Sequence, residues 1–218
     1  MESYSEIILL LVIAIASWGL WIAFEILRRR RLQKVAHTLG FNFEKCSSLE
    51  VLDPPQSSLF DVNATKQYLN ILSGEYRKTK CSVFCFSYWV DAQNNTHREN
   101  QTVFVFESNK TFPFIDCTYR KKAPLILVEN IPEALDIEIR DQVFDPKYRV
   151  QAGETSKAKR LLKNGGSEAL LEVDGLSMTC QGNKLMLYVS KKRSSVVKFE
   201  EELECYYGIF KKLEAAAP

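Results

Sequence analysis

His97 is the one imidazole in the folded part of the chain, since the second of the two histidines, His37, lies close behind the N-terminal apolar stretch. It sits in a polar run from Asp91 to Asn100, with Asp91 and Glu99 nearby. An imidazole beside carboxylates can act as a general base when a partner fixes its tautomer and a substrate lies within hydrogen-bond reach. A hairpin tip does not hold that geometry, so His97 is read as an exposed loop side chain and a candidate contact for a partner. Asp136, Glu138 and Arg140 alternate at strand spacing and share one face, the pattern of solvated charge rather than of acid–base catalysis. Lys163-Asn164-Gly165-Gly166 has glycines but no preceding strand, and is read as a helix stop rather than a phosphate cradle. No P-loop, nucleophile elbow or metalloprotease helix occurs in the sequence, so nucleotide hydrolysis, serine acyl transfer and zinc hydrolysis lack their signatures.

Cys46, Cys81, Cys85, Cys117, Cys180 and Cys205 contain no C-x-x-C pair, and without clustered histidines they do not make a zinc set. In a reducing compartment they are free thiols. Cys81 and Cys85 flank Val83 at strand spacing and act as small apolar groups on one packed face. No catalytic, cofactor-binding or metal-binding residue is assigned.

What must position any site begins with Ile7 to Leu27, an almost wholly apolar stretch that ends against Arg28, Arg29, Arg30 and Arg31. As a helix it spans about 31 Å, close to a hydrocarbon core of about 30 Å. Glu25 is the one charged residue inside, near enough to the interface to pair with Arg28 or Arg29. A cleaved signal would need a basic leader and a small-residue cleavage site, which are missing. Residues 1–6 carry Glu2 and Glu6 but no Lys or Arg. The arginines therefore act as membrane-orienting residues that keep their side in the cytoplasm, with the N-terminus outside the cell membrane. A juxtamembrane basic run is also drawn to anionic lipid. Gly19 and Ala23 form a small-xxx-small pair, read as incidental rather than as a helix-docking face.

Residues 1–34 hold 5 of the 29 basic and 3 of the 27 acidic residues, which leaves 24 of each in the remainder. A neutral domain gives no footprint for nucleic acid. The clusters Arg120-Lys121-Lys122, Lys157-Ala158-Lys159-Arg160 and Lys191-Lys192-Arg193 are read as solvated turns or helix faces.

Along the chain, residues 28–40 continue the helix, with Leu32, Val35, Ala36 and Leu39 at helical spacing and Gly40 at its end, giving a stiff stalk. Residues 41–67, with Pro54-Pro55 and several serines, are expected to be an irregular connection. An α+β domain is expected over 68–213. Strands are predicted at 68–76, 81–90, 102–107 and 114–119, with 91–100 as a hairpin loop. Helices follow from Glu154 to about Lys163 and from Ser167 to Val173. Strands 176–181 and 184–189 are read as a hairpin about Gly182-Asn183. The segment 198–213 places Phe199, Leu203, Tyr206, Phe210 and Leu213 on one face of an amphipathic packing helix, and 214–218 is a tail expected to fray. Phe84, Phe86, Tyr88, Phe104 and Phe106 are expected to form one apolar layer. Trp89 has the opposite parity to Tyr88 and is read either as an exposed second candidate contact residue or as packed beneath the closing helix. The expected architecture is an N-terminal transmembrane helix, a curved antiparallel sheet with inserted helices, and a C-terminal helix over its open side, with the element order of a pleckstrin-homology-like barrel.

Short sequence words carry a resemblance: Ala36-x-x-Leu39-Gly40-Phe41, Ser73-Gly74-Glu75-Tyr76, Val83-Phe84-x-Phe86-x-Tyr88, Gln101-Thr102-Val103, Phe144-Asp145-x-x-Tyr148 and Gly182-Asn183. Together these resemble a loosely defined set of uncharacterised bacterial single-pass proteins with a membrane anchor and a cytoplasmic α+β domain. The resemblance implies no reaction. The functional expectation is a non-enzymatic protein that sits in the lipid bilayer and binds a protein partner or serves as an accessory subunit of a membrane complex. A lipid-interface or ligand-sensing module is the alternative, and an enzyme of unrecognised class the second.

Overall fold

The computed structural model describes residues 2–61, 64–92, 95–122 and 134–217. Helix α1 (Glu2–Leu39) runs from the apolar stretch through the four arginines without a break, and it is long and apolar enough to cross a membrane. Its side chains from Ile7 to Phe24 are exposed. Below Arg28 the surroundings change: Leu32 and Ala36 are buried in the domain core, and Val35 and Leu39 pack against it. The segment expected to be a stiff juxtamembrane stalk is a helix that also packs into the core, because its apolar stripe has a sheet face to cover. Gly40 ends it in the left-handed region at φ +70°, where Phe41 N donates to Ala36 O at 2.8 Å, closing the last turn as a glycine cap does.

The expected irregular connection over 41–67 is more ordered than its composition suggests. It contains strand β1 (Asn42–Ser47), a single turn α2 (Leu49–Leu52) and a short 3-10 turn at Ser58–Phe60. Strand β2 (Lys66–Tyr76) pairs with β1 and with β3 (Thr79–Ala92), and β3 pairs with β4 (Asn95–Tyr119), all antiparallel. The ladder between β3 and β4 continues out to Ala92 and Asn95. The stretch expected to be a polar hairpin loop is thus mostly strand.

β4 organises the remainder, merging the two strands predicted at 102–107 and 114–119. Its far end pairs with β6 (Tyr148–Ala152), which pairs with β5 (Leu135–Ile137). Along its length β4 also pairs with β7 (Leu176–Val189), whose register shifts between Glu107 and Phe112 and again before Ile115. These irregularities curve the sheet. Gly182, at φ +59° and opposite Phe112, lies at the shift, so Gly182-Asn183 marks a bend in one strand and not a hairpin. Among the described residues no ladder joins β1 to β7, leaving a curved, open sheet.

The helices α3 (Thr155–Leu161) and α4 (Ser167–Leu171) flank a turn at Asn164-Gly165. α5 (Phe199–Ala216) lies over one sheet face with Phe199, Leu203, Tyr206, Ile209, Phe210 and Leu213 buried. Phe210 stacks on Phe106 at 5.1 Å and Tyr206 meets Phe104 edge-on at 4.6 Å. The helix continues past the expected end, and Ala216 and Ala217 are buried instead of frayed. On the other face, Leu59 and Phe60 cover Tyr68, Phe84, Phe86, Tyr88 and Tyr188. The expected single aromatic layer is therefore two. Val83 faces Phe104 and Phe84 faces Val103 across the ladder, and cross-strand partners share a face.

Candidate functional site

Lys191, Lys192 and Arg193, read from sequence as a solvated turn, lie in the loop between β7 and α5 and are drawn back onto β4. Lys191 N donates to Gln101 Oε1 at 3.0 Å and Ser194 N donates to Thr102 Oγ1 at 2.9 Å. Thr102 N in turn donates to Lys192 O at 3.0 Å. The loop thereby meets α1 where the apolar stretch gives way to the arginines. Arg28 Nη2 donates to Ser194 O at 2.9 Å, and Arg193 grips Glu25 with Nη1 at 2.5 Å and Nη2 at 2.8 Å. Glu25 thus takes a partner from across the fold, not Arg28 or Arg29. A planar guanidinium matches both carboxylate oxygens at once, which a neighbour on the same helix turn does not do here. Both side chains are about a quarter exposed, at 24% each.

Between α1 and the loop runs a groove of about 350 Å³ lined by Phe24, Leu27, Arg28, Arg31 and the stretch from Arg193 to Val197. Its walls are graded: apolar toward the N-terminal end of α1, cationic toward the domain. Val197 is 84% exposed. Of the four arginines that follow the apolar stretch, Arg28 is 9% exposed, while Arg30 and Arg31 are open to solvent. Among the described residues no carboxylate pairs with Arg29, Arg30 or Arg31. Arg28 Nη1, Arg29 Nε and Arg193 Nε are enclosed and have no acceptor among the described residues.

The two candidate contact residues are near this junction but do not form one patch. Trp89 is 42% exposed and lies across the ladder from Arg98, whose charge reaches Glu25. His97 is opposite Val90 and so projects from the other face of the hairpin. It sits on a strand, where its Nε2 lies 3.0 Å from Glu99 Oε1. Glu99 is shared with Lys191 Nζ at 2.9 Å.

Sequence reasoning missed Arg193 and a second polar cluster on the far side of the sheet. Asp116, 1% exposed, accepts from Ser58 N at 3.1 Å and from Thr179 Oγ1 at 2.6 Å, with Ser57 Oγ at 3.4 Å. Burial pushes its carboxyl up, against the pull of the bonds from Ser58, Thr179 and Ser57. Enclosed between β4, β7 and the 57–60 turn, the group fastens that turn to the sheet. A lone acid inside Phe114-Ile115-Asp116-Cys117 was the available signal, because a carboxylate in a buried strand must find donors. All six cysteines are free, and Cys81, Cys85, Cys117 and Cys180 are buried. Burial pushes the thiols of Cys81, Cys117 and Cys180 up, which makes them poor nucleophiles.

No protein-family model matches the chain, and no curated protein matches it. Among solved structures, the fold is similar to the crystal structure of the mycobacterial trehalose monomycolate transport factor A, TtfA, with a TM-score of 0.58 and 16% sequence identity. The match covers 87% of this chain and 96% of that one. At such identity the likeness is one of fold.

Proposed function

We propose that the chain is a single-pass protein of the cell membrane, N-terminus outside, whose cytoplasmic α+β domain is a non-enzymatic accessory subunit of a membrane complex. One observation carries the reading: α1 passes directly from its apolar stretch into the domain core, fastened at the boundary by Glu25–Arg193 and Arg28–Ser194. Such a domain keeps a fixed pose at the bilayer surface, as a subunit that must meet a membrane-embedded partner requires. Arg28 to Arg31 orient it by the positive-inside rule, and the nearby Lys191 to Arg193 add to the same flank. The fold shared with a transport factor supports an accessory role. The burial of Asp116 and of four cysteines keeps these groups from solvent, in keeping with the non-enzymatic reading. Trp89 is the side chain we assign to the partner contact.

The test is a photo-crosslinking amino acid placed at Trp89 in living cells, with Lys212 as the control position. A discrete protein adduct at Trp89 alone is expected; no adduct, or the same products from both positions, refutes the partner contact. Orientation is checked on intact cells, where an engineered thiol at Ser3 should react with an impermeant reagent and Cys205 should not. Reversed labelling would overturn the cytoplasmic placement.

A further inference from the structure

We infer that the groove between α1 and the β7–α5 loop holds the headgroup of an anionic phospholipid, with its phosphate at Arg28 and Arg31 and an acyl chain along Phe24, Leu27 and Val197. The inference rests on the membrane placement proposed above and adds the ligand class of this junction. Position is the first argument. Phe24 to Arg31 advance about 10 Å along the helix axis, enough to step from the edge of the hydrocarbon core through the headgroup layer. The groove therefore lies where acyl chain and phosphate meet.

Chemistry is the second. Phe24 (64%) and Leu27 (52%) on α1 and Val197 (84%) on the loop are exposed along the groove, an apolar surface suited to a lipid chain. Toward the domain the groove is cationic through Arg28 and Arg31, and Glu25 on the same helix is already held by both terminal nitrogens of Arg193. Arg31 has no ion-pair partner among the described residues. Arg28 gives the third argument. It lines the groove, is more than nine-tenths buried and is fixed by Nη2 on Ser194 O, so its charge is held in place beside the open Arg31. A guanidinium so held, next to a second one open to solvent, favours an anion in the groove. Zwitterionic lipid offers the phosphate but cancels its charge nearby, so an anionic headgroup fits better.

The full chain is reconstituted into nanodiscs of equimolar phosphatidylglycerol and phosphatidylcholine, released with mild detergent, and its retained lipid is read by native mass spectrometry. Phosphatidylglycerol should be retained in excess. Arg31→Ala should cut that excess about fivefold, the weight of one basic side chain near an anionic surface, while Arg31→Lys keeps most of it. Arg28→Ala also removes the bond to Ser194 O that fastens the loop, so Val197→Trp, which fills the groove from an exposed position, serves as the second variant and should exclude lipid. Lys163→Ala, on the α3–α4 turn, should change nothing. Excess inorganic phosphate should leave the lipid bound; displacement would mark a site for free phosphate and overturn the inference. Equal retention of both lipids, indifference to Arg31→Ala, or a lipid-free dimer closing the groove would also overturn it. None of these outcomes touches the Trp89 adduct, so the two readings fail separately. A chain that stays out of the discs overturns the membrane placement and this inference together.

Discussion

Breaking the Glu25–Arg193 pair should loosen the β7–α5 loop without unfolding the domain. Exposed ion pairs contribute about 0.2 to 1 kcal/mol, whereas removing one partner of a buried pair costs about 3 to 5 kcal/mol. At 24% exposure on each side, with two bonds in a fork, this pair falls between, at about 1.5 to 3 kcal/mol for either single neutralisation. The loop has its own reporters. Lys191 N and Ser194 N are held only by side-chain acceptors, Gln101 Oε1 and Thr102 Oγ1, so opening the loop exposes both amides. Hydrogen exchange of the full chain in nanodiscs should then quicken about 10- to 100-fold at these two amides in Glu25→Gln or Arg193→Gln, since each 1.4 kcal/mol is about tenfold. The double variant should fall short of the sum of the singles, as expected for groups in contact. Amides of the β3–β4 ladder around Val103 should be unchanged. Unaltered exchange at Ser194, or additive effects, would show that the fork does not hold the loop and refute the reasoning.

Phe210→Ala removes a fully buried ring stacked on Phe106 and should cost about 3 to 5 kcal/mol in chemical denaturation, against less than about 1 kcal/mol for Lys212→Ala, whose partner Glu172 is also exposed; equal effects would contradict the packing of α5. Asp116 has a folded pKa raised by burial, so the native state holds its proton more tightly than the unfolded chain. Its contribution is present below the ordinary carboxylate pKa of about 3.9 and is lost as pH rises through the folded value. Asp116→Asn, which mimics the protonated form, should flatten that part of the stability–pH profile; parallel profiles for the two proteins would refute it.

Features with local causes were legible in the sequence. The apolar stretch before Arg28, the helical spacing of Phe199 to Leu213, and the glycine stops at Gly40 and Gly165 each follow from a few neighbouring residues. What stayed hidden depends on partners far away in the chain. Glu25 and Arg193 are 168 residues apart, and a helix neighbour was the only partner visible locally. Faces of the aromatic strands depend on register, and a one-residue offset between Phe84 and Phe104 moves a ring to the opposite layer. β1 has a weak strand pattern, and its pairing with β2 supplies what propensity does not. Gly182-Asn183 has the residues of a tight hairpin turn, but β4 is long enough to pair on both sides of it, so the same residues make a bend.

The claim on which the rest depends is that anchor and domain move as one body. It is tested by pulsed electron-spin distance measurement on the full chain in nanodiscs, with spin labels at Leu20→Cys on α1 and Lys163→Cys on the α3–α4 turn. Exposed Cys46 and Cys205 are replaced by serine, and the four buried thiols are left in place. A single narrow distance distribution is predicted; a broad one, as from a helix that swivels at Arg28 to Arg31, would contradict it.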